Sequence, residues 1–278
     1  MSEKHFGVDL STWQNKVDYK VAVEKGNVEF AMIRAGFGKN VLTQKDNMFE
    51  THYAGFRAQN VPLGAYQYSY AKSPADAINE ARAMLEWIEG KEFDLPLFLD
   101  MEQADVAELG KETCTMIALA WCRYIADAGY KCGIYANPNW FENYLDVDLI
   151  TERFLIWCAS WGTEKPEYPN MIMWQYGGET NKVRERAVEG VGDVVDQNFF
   201  YGELPDVTPK PTEYQYVICT KKTYTLDENG KAEARRWIDK GDLCAIRLVP
   251  SPLIEVIYPT ANGHRTAYLK DISNFVTE

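Results

Sequence analysis

The sequence predicts a mixed α/β protein: an irregular, closed β/α barrel of eight strands followed by a small all-β domain. Three observations carry this expectation. Strand-like runs alternate with amphipathic helical runs through the first two thirds of the chain. A proline-rich stretch then breaks the pattern. The remainder holds only short β-rich runs between turn signals. Alternation of strands and helices argues for a mainly parallel sheet. Eight strands in about 200 residues argue for closure into a TIM-like barrel. The competing open, doubly wound sheet would carry a glycine-rich phosphate turn after its first strand, and "DLSTWQN" is not one.

The eight runs are "HFGVDLS", "EFAMIRAGF", "VPLGAYQYSYA", "LPLFLDME", "KCGIYAN", "RFLIWCASW", "NMIMWQYGG" and "GDVVDQNFF". Each is apolar on both faces, as strands of a buried parallel sheet are. Helical patterns follow the first five. The third opens with Ser73 as N-cap and Pro74 at the first helical position. The fourth, "GKETCTMIALAWCRYIADAGY", is the strongest and stops at Gly129. The connections "GTEKPEYP" and "ETNKVRERAVEGV", after strands six and seven, do not read as packed helices.

The stretch "YGELPDVTPKPTEY" reads as a semi-rigid linker. The expected division is therefore a barrel over 1–203, a linker over 204–212 and a second domain over 213–278. The second domain shows five strand-like runs, "YQYVICT", "KTYTLD", "DLCAIRLV", "LIEVIYP" and "HRTAYLKDI", which suit a small barrel. A helix is an alternative for "KAEARRWIDKG" (231–241).

Composition excludes several function classes. The net charge is −12, and no Lys/Arg cluster stands out, so nucleic acid is not an expected partner. The charge is uneven: about +1 over 210–278 and −13 before it. No run of about 18 apolar residues indicates a membrane span. The N-terminus "MSEKHFGVDLSTW" has no signal-like apolar core, so the expectation is a cytoplasmic product without membrane insertion. The six cysteines form no CxxC pair and no metal spacing with the three histidines. They are expected to be reduced, mostly buried thiols. No cofactor and no metal is expected, and oligomeric state is not legible.

The chemistry concentrates in "LPLFLDMEQ". In a strand, residues i and i+2 share a face about 6.5–7 Å apart. Phe98, Asp100 and Glu102 therefore point one way, and Leu97, Leu99 and Met101 the other. Two carboxylates at the end of a barrel strand raise at least one pKa, as a general acid near neutral pH requires. Asp9 ends strand one and Asp196 ends strand eight, and these strands are neighbours in a closed barrel. Tyr66 and Tyr68, Tyr135, Trp157 and Gln175 would reach the same mouth from strands three, five, six and seven, with Arg34 from strand two. Paired carboxyl groups in an aromatic-walled cleft describe glycoside hydrolysis. No GxSxG elbow and no HExxH sequence offers another nucleophile system. A non-catalytic glycan-binding protein on the same scaffold and a chitinase-like hydrolase remain the alternatives.

The motifs "FGVDLSTWQ", "FAMIRAG", "PLGAYQYSYA", "PLFLDMEQ", "GIYAN", "LIWCASW", "MWQYG" and "DVVDQNFF" resemble, in order, those of glycoside hydrolase family 25. These are the lysozyme-type N-acetylmuramidases. The resemblance implies cleavage of the β-1,4 bond between N-acetylmuramic acid and N-acetylglucosamine in peptidoglycan. It implies Glu102 as general acid/base, Asp100 as its partner in the DxE motif, and Asp9 and Asp196 in support. The C-terminal stretch more loosely resembles a bacterial Src-homology-3-like module, which implies cell-wall binding. The whole layout resembles a phage endolysin acting on the wall after holin-type release, with a bacterial autolysin as the nearer alternative.

Overall fold

In the computed structural model the described residues are 3–177, 187–193, 195–207, 214–249, 252–261 and 263–277. The chain divides into two compact units, Met1–Asp206 and Val207–Glu278. Of the sequence-expected linker over 204–212, residues 208–212 lie outside the described residues.

The first unit is a closed eight-stranded barrel, its strands side by side in chain order. β1 (Lys4–Leu10), β2 (Phe30–Phe37), β3 (Leu63–Tyr68), β4 (Leu97–Asp100), β5 (Cys132–Ala136), β6 (Leu155–Ala159) and β7 (Met171–Gly177) follow one another, and β8 (Asp196–Tyr201) closes the ring. Neighbours from β1 to β7 pair in parallel. At Gly133, β5 lies so close to β6 that an added Cβ would collide with the Leu155 carbonyl, so only glycine fits.

Helices follow the first five strands, as expected. They are α1 (Tyr19–Glu24), α2 (Phe49–Arg57), α3 (Pro74–Trp87), the pair α4 (Ala104–Ala107) and α5 (Lys111–Asp127), and the pair α6 (Pro138–Asn143) and α7 (Val147–Thr151). The Ser73 Oγ accepts the Asp76 N–H at 3.1 Å and caps α3, with Pro74 in the first turn. Among the described residues no helix lies between β6 and β7. Residues 178–186 of the next connection lie outside the described residues.

β8 departs from the expectation. It runs antiparallel to both β1 and β7, so Asp196 begins that strand instead of ending it. A strand apolar on both faces carries no directional signal, because side-chain alternation reads the same from either end. The reversal leaves Asp196 at the mouth: it pairs in register with Asp9 of β1.

Strand alternation splits the core in two. Phe30, Met32, Phe98, Trp157, Met173 and Phe200 point inward and fill the barrel. Ala31, Ile33, Leu97 and Leu99 point outward against the helices, where Phe56, Trp87 and Trp121 are fully buried. Truncating such an aromatic side chain to alanine costs about 3–5 kcal/mol. All six cysteines are buried and free.

The second unit is a seven-stranded antiparallel sheet forming a half-barrel, in the order β11-β10-β14-β13-β12-β9-β15. The segment with the helical alternative is a strand, β11 (Ala232–Ile238). Its partner β10 (Thr223–Leu226) supplies the backbone pairing that a lone Ala/Arg-rich run does not announce. β9 (Gln215–Cys219), β12 (Leu243–Leu248), β13 (Ile254–Thr260), β14 (Gly263–Leu269) and β15 (Phe275–Thr277) complete it around a core of Val217, Cys219, Ile246, Val256 and Leu269.

Candidate active site

One rule builds the site. Along the inward face of each strand, apolar residues occupy the barrel interior and polar or aromatic residues the mouth. Phe30 and Met32 give way to Arg34, Phe98 to Asp100, Met173 to Gln175, and Phe200 to Asn198 and Asp196. A cleft of about 600 Å³ opens above the inner core. Asp9, Asp100, Glu102 and Asp196 all line it. So do Arg34, Tyr66, Tyr68, Tyr135 and Trp157. A larger groove of about 820 Å³ lies beside α3, but its acids are already engaged: Asp76 pairs with Lys39, and Glu80 accepts from Ser69 and Tyr70.

Asp9 is buried, and its Oδ2 accepts the Asn198 Nδ2 at 2.7 Å and the Gln175 Nε2 at 3.0 Å. Burial pushes its carboxyl up to about 6, against the pull of these two donors. The donors are themselves held. The Trp157 Nε1 donates to the Asn198 Oδ1 at 2.9 Å. The Tyr135 hydroxyl and the Trp161 Nε1 donate to the Gln175 Oε1 at 3.1 and 2.8 Å. Gln175 therefore stands behind Asp9, buried, and is not part of the open wall.

Asp100 pairs in register with Tyr68 on one side and Tyr135 on the other. It is buried, and its Oδ1 has no hydrogen-bond partner. Burial holds its carboxyl well above the usual range; Glu102 and Asp9 push the same way, and Arg34 opposes them. An unpartnered buried oxygen favours the neutral acid, because the charged form loses its hydration without compensation. Glu102 lies two residues beyond Asp100, just past the strand end, with its side chain open to the cleft. The walls withhold enough water to raise its pKa, and the Asp9 charge adds to the rise.

Trp157 forms the floor, buried, with edge-on contacts to Tyr135 at 4.6 Å and Tyr66 at 5.7 Å between ring centroids. Tyr68 donates its hydroxyl to the Gln103 Oε1 at 3.0 Å. Trp13, 80% exposed, adds an indole at the rim. Sequence reasoning passed over Trp13, Asn198 and Trp161. The i, i+2 rule applied to Asp196 would have found Asn198, since both share the inward face of β8. Trp161 had no such signal.

A carboxylate cleft at the mouth of a β/α barrel, floored and walled by aromatics, defines a glycoside hydrolase. The sequence model of glycosyl hydrolases family 25 matches residues 8–184, and the chain belongs to that family. The modular autolysin LytC of Streptococcus pneumoniae superposes with a TM-score of 0.61 at 20% identity, over 72% of this chain and 47% of that one. This chain thus spans about half of the autolysin. A bacterial lysozyme of Streptomyces coelicolor matches with a TM-score of 0.60 at 22% identity, over 73% and 94% of the two chains. The spore cortex lytic enzyme SleM of Clostridium perfringens matches over 96% of this chain and 98% of its own, with a TM-score of 0.60 at 16% identity. In sequence, YegX of Escherichia coli K12 is 24% identical over 206 residues, 72% of this chain and 71% of that protein.

Proposed function

We propose that this glycoside hydrolase is a muramidase that cleaves the β-1,4 bond between N-acetylmuramic acid and N-acetylglucosamine, with Glu102 as general acid/base. The observation carrying the residue roles is the convergence of four carboxylates from β1, β4 and β8 on one cleft. Glu102 is the most exposed of the four, and its raised pKa leaves it protonated to a higher pH than an ordinary glutamate. It protonates the glycosidic oxygen as the bond breaks. The same carboxylate, now ionised, then takes a proton from the attacking water.

Asp9 is held rigid by Asn198 and Gln175. It faces the positive charge that develops at the anomeric carbon, or orients the 2-acetamido group. Asp100, buried beside Glu102 and favouring its neutral form, offers an unpartnered oxygen to a substrate donor. Asp196, in register with Asp9, completes the acidic rim. Tyr66, Tyr68 and Tyr135 present ring surface to the sugars, and the buried Trp157 supports them from below.

The second unit holds the enzyme on insoluble wall, raising local concentration without adding contacts at the reacting bond. The deciding experiment is release of reducing ends from purified peptidoglycan by the wild-type chain and by Glu102→Gln. The variant should keep its fold and lose activity by about 10²–10⁴-fold, the range of general acid/base contributions. Undiminished release would remove Glu102 from the role. Preferential turnover of chitin oligomers would favour the chitinase-like reading.

A further inference from the structure

Asp46 lies outside the cleft's carboxylate set, yet it is fully committed. Its side chain is completely buried in the connection between β2 and α2. One oxygen, Oδ2, accepts three N–H groups: Arg34 Nη2 at 2.7 Å, Arg34 Nε at 2.8 Å and the Thr12 backbone at 3.0 Å. The other, Oδ1, accepts the Met48 N–H at 2.8 Å. Two pieces of the cleft wall thus end on one carboxylate. Arg34 is the cation facing the acidic cluster from β2. Thr12 precedes Trp13, the exposed rim indole. The same segment is gripped from α2, where the buried His52 sits 3.1 Å from the Ser11 carbonyl oxygen.

We propose that Asp46 is a positioning residue of the hydrolase, fixing the Arg34 guanidinium beside the catalytic carboxylates and the Thr12–Trp13 rim over the same cleft. The proposal rests on the muramidase reading for its assay but not on the roles assigned to Glu102 or Asp9. One carboxylate oxygen that accepts two N–H groups of the same guanidinium sets both its direction and how far its charge is neutralised. The groups that face Asp100 are Asp9 from β1, Arg34 from β2, Tyr66 and Tyr68 from β3, Glu102 beyond β4, Tyr135 from β5 and Asp196 from β8. Arg34 is the only cation in this set, so whatever neutralises it controls the balance. The Asp46 carboxylate offsets the Arg34 charge from behind. With Asn in its place that charge acts more fully on the acids, and their protons leave at lower pH.

The test is the pH profile of kcat/KM on solubilised peptidoglycan for wild type, Asp46→Asn, Arg34→Gln and the double variant. Wild-type activity is the control that separates failure of the proposal from failure of the muramidase reading. Asp46→Asn should shift the profile by about half a pH unit or more toward acid and raise KM several-fold through the loosened rim. Arg34→Gln should shift it toward alkali. In the Arg34→Gln background, Asp46→Asn should leave the profile in place, because its effect runs through the guanidinium. A single-variant profile superimposable on wild type would overturn the proposal, as would an equal shift in both backgrounds. If Asp46→Asn does not fold, Asp46→Glu, which keeps the charge but displaces its oxygens, takes its place: a profile and KM equal to wild type refute the positioning role, and a raised KM with a shifted profile sustains it.

Discussion

Asn198 couples the floor of the cleft to its most constrained acid: it accepts from Trp157 at 2.9 Å and donates to Asp9 at 2.7 Å. The aromatic floor and the carboxylate are therefore one rigid unit. Asn198→Ala removes a donor that lowers the Asp9 pKa, so Asp9 should titrate above its present value of about 6. It also strands the buried Trp157 N–H, a loss of about 1–3 kcal/mol in stability. The two effects separate experimentally. Thermal unfolding reports the stranded indole, and the chemical shift of the Asp9 carboxyl carbon against pH reports the pKa.

Asp9 also acts on its neighbour. Its negative charge raises the Glu102 pKa. Removing that charge in Asp9→Asn lets Glu102 release its proton at lower pH. In the proposed role of Glu102 the protonated acid is then lost earlier as pH rises, so the alkaline limb of the kcat/KM profile should move toward acid. The size of the shift, measured on soluble muropeptide oligomers, gives the coupling directly. An unmoved limb would mean that the carboxyl of Glu102 and that of Asp9 do not sense each other.

Glu80 ties stability to pH outside the cleft. It is buried on α3, accepts from Ser69 Oγ at 2.7 Å and from the Tyr70 N–H at 2.8 Å, and burial raises its carboxyl to about 7. A raised acid binds its proton more tightly folded than unfolded. Its stabilising contribution is full below the unfolded pKa of 4.5 and is lost as pH rises toward about 7. A shift of that size corresponds to about 3 kcal/mol at most. Glu80→Gln keeps an acceptor for Tyr70 and carries no charge. Its melting temperature should exceed that of wild type at pH 8 and match it at pH 4.

Most of this architecture was legible because strand alternation is a physical constraint and not a statistic. The two faces of "LFLDME" were assignable from the i, i+2 rule: Leu97, Leu99 and Met101 pack outward and Phe98 inward. The helices after five strands were announced by caps such as Ser73. What escaped has equally physical causes. The direction of β8 is not encoded in its hydrophobicity, and β11 is defined by its partner strand. Asp46 escaped because its value lies in four hydrogen bonds to residues between 2 and 34 positions away, which no local pattern reveals.

The first compact unit ends at Asp206. The barrel has its own inner and outer cores, and every residue described in the cleft lies before the division. The sheet of the second unit likewise has its own core. A chain ending at Asp206 should therefore fold cooperatively and cleave soluble peptidoglycan fragments with kcat close to that of the full chain. On sedimentable wall, its rate at low enzyme concentration should fall by about 10²-fold or more, the scale on which a tethered second site raises effective concentration. Co-sedimentation of the isolated second unit with purified wall supplies the complementary measurement. Equal activity of long and short chains on both substrates would reduce the second unit to a structural appendage. A truncated chain that fails to unfold cooperatively would instead show that the barrel depends on its neighbour.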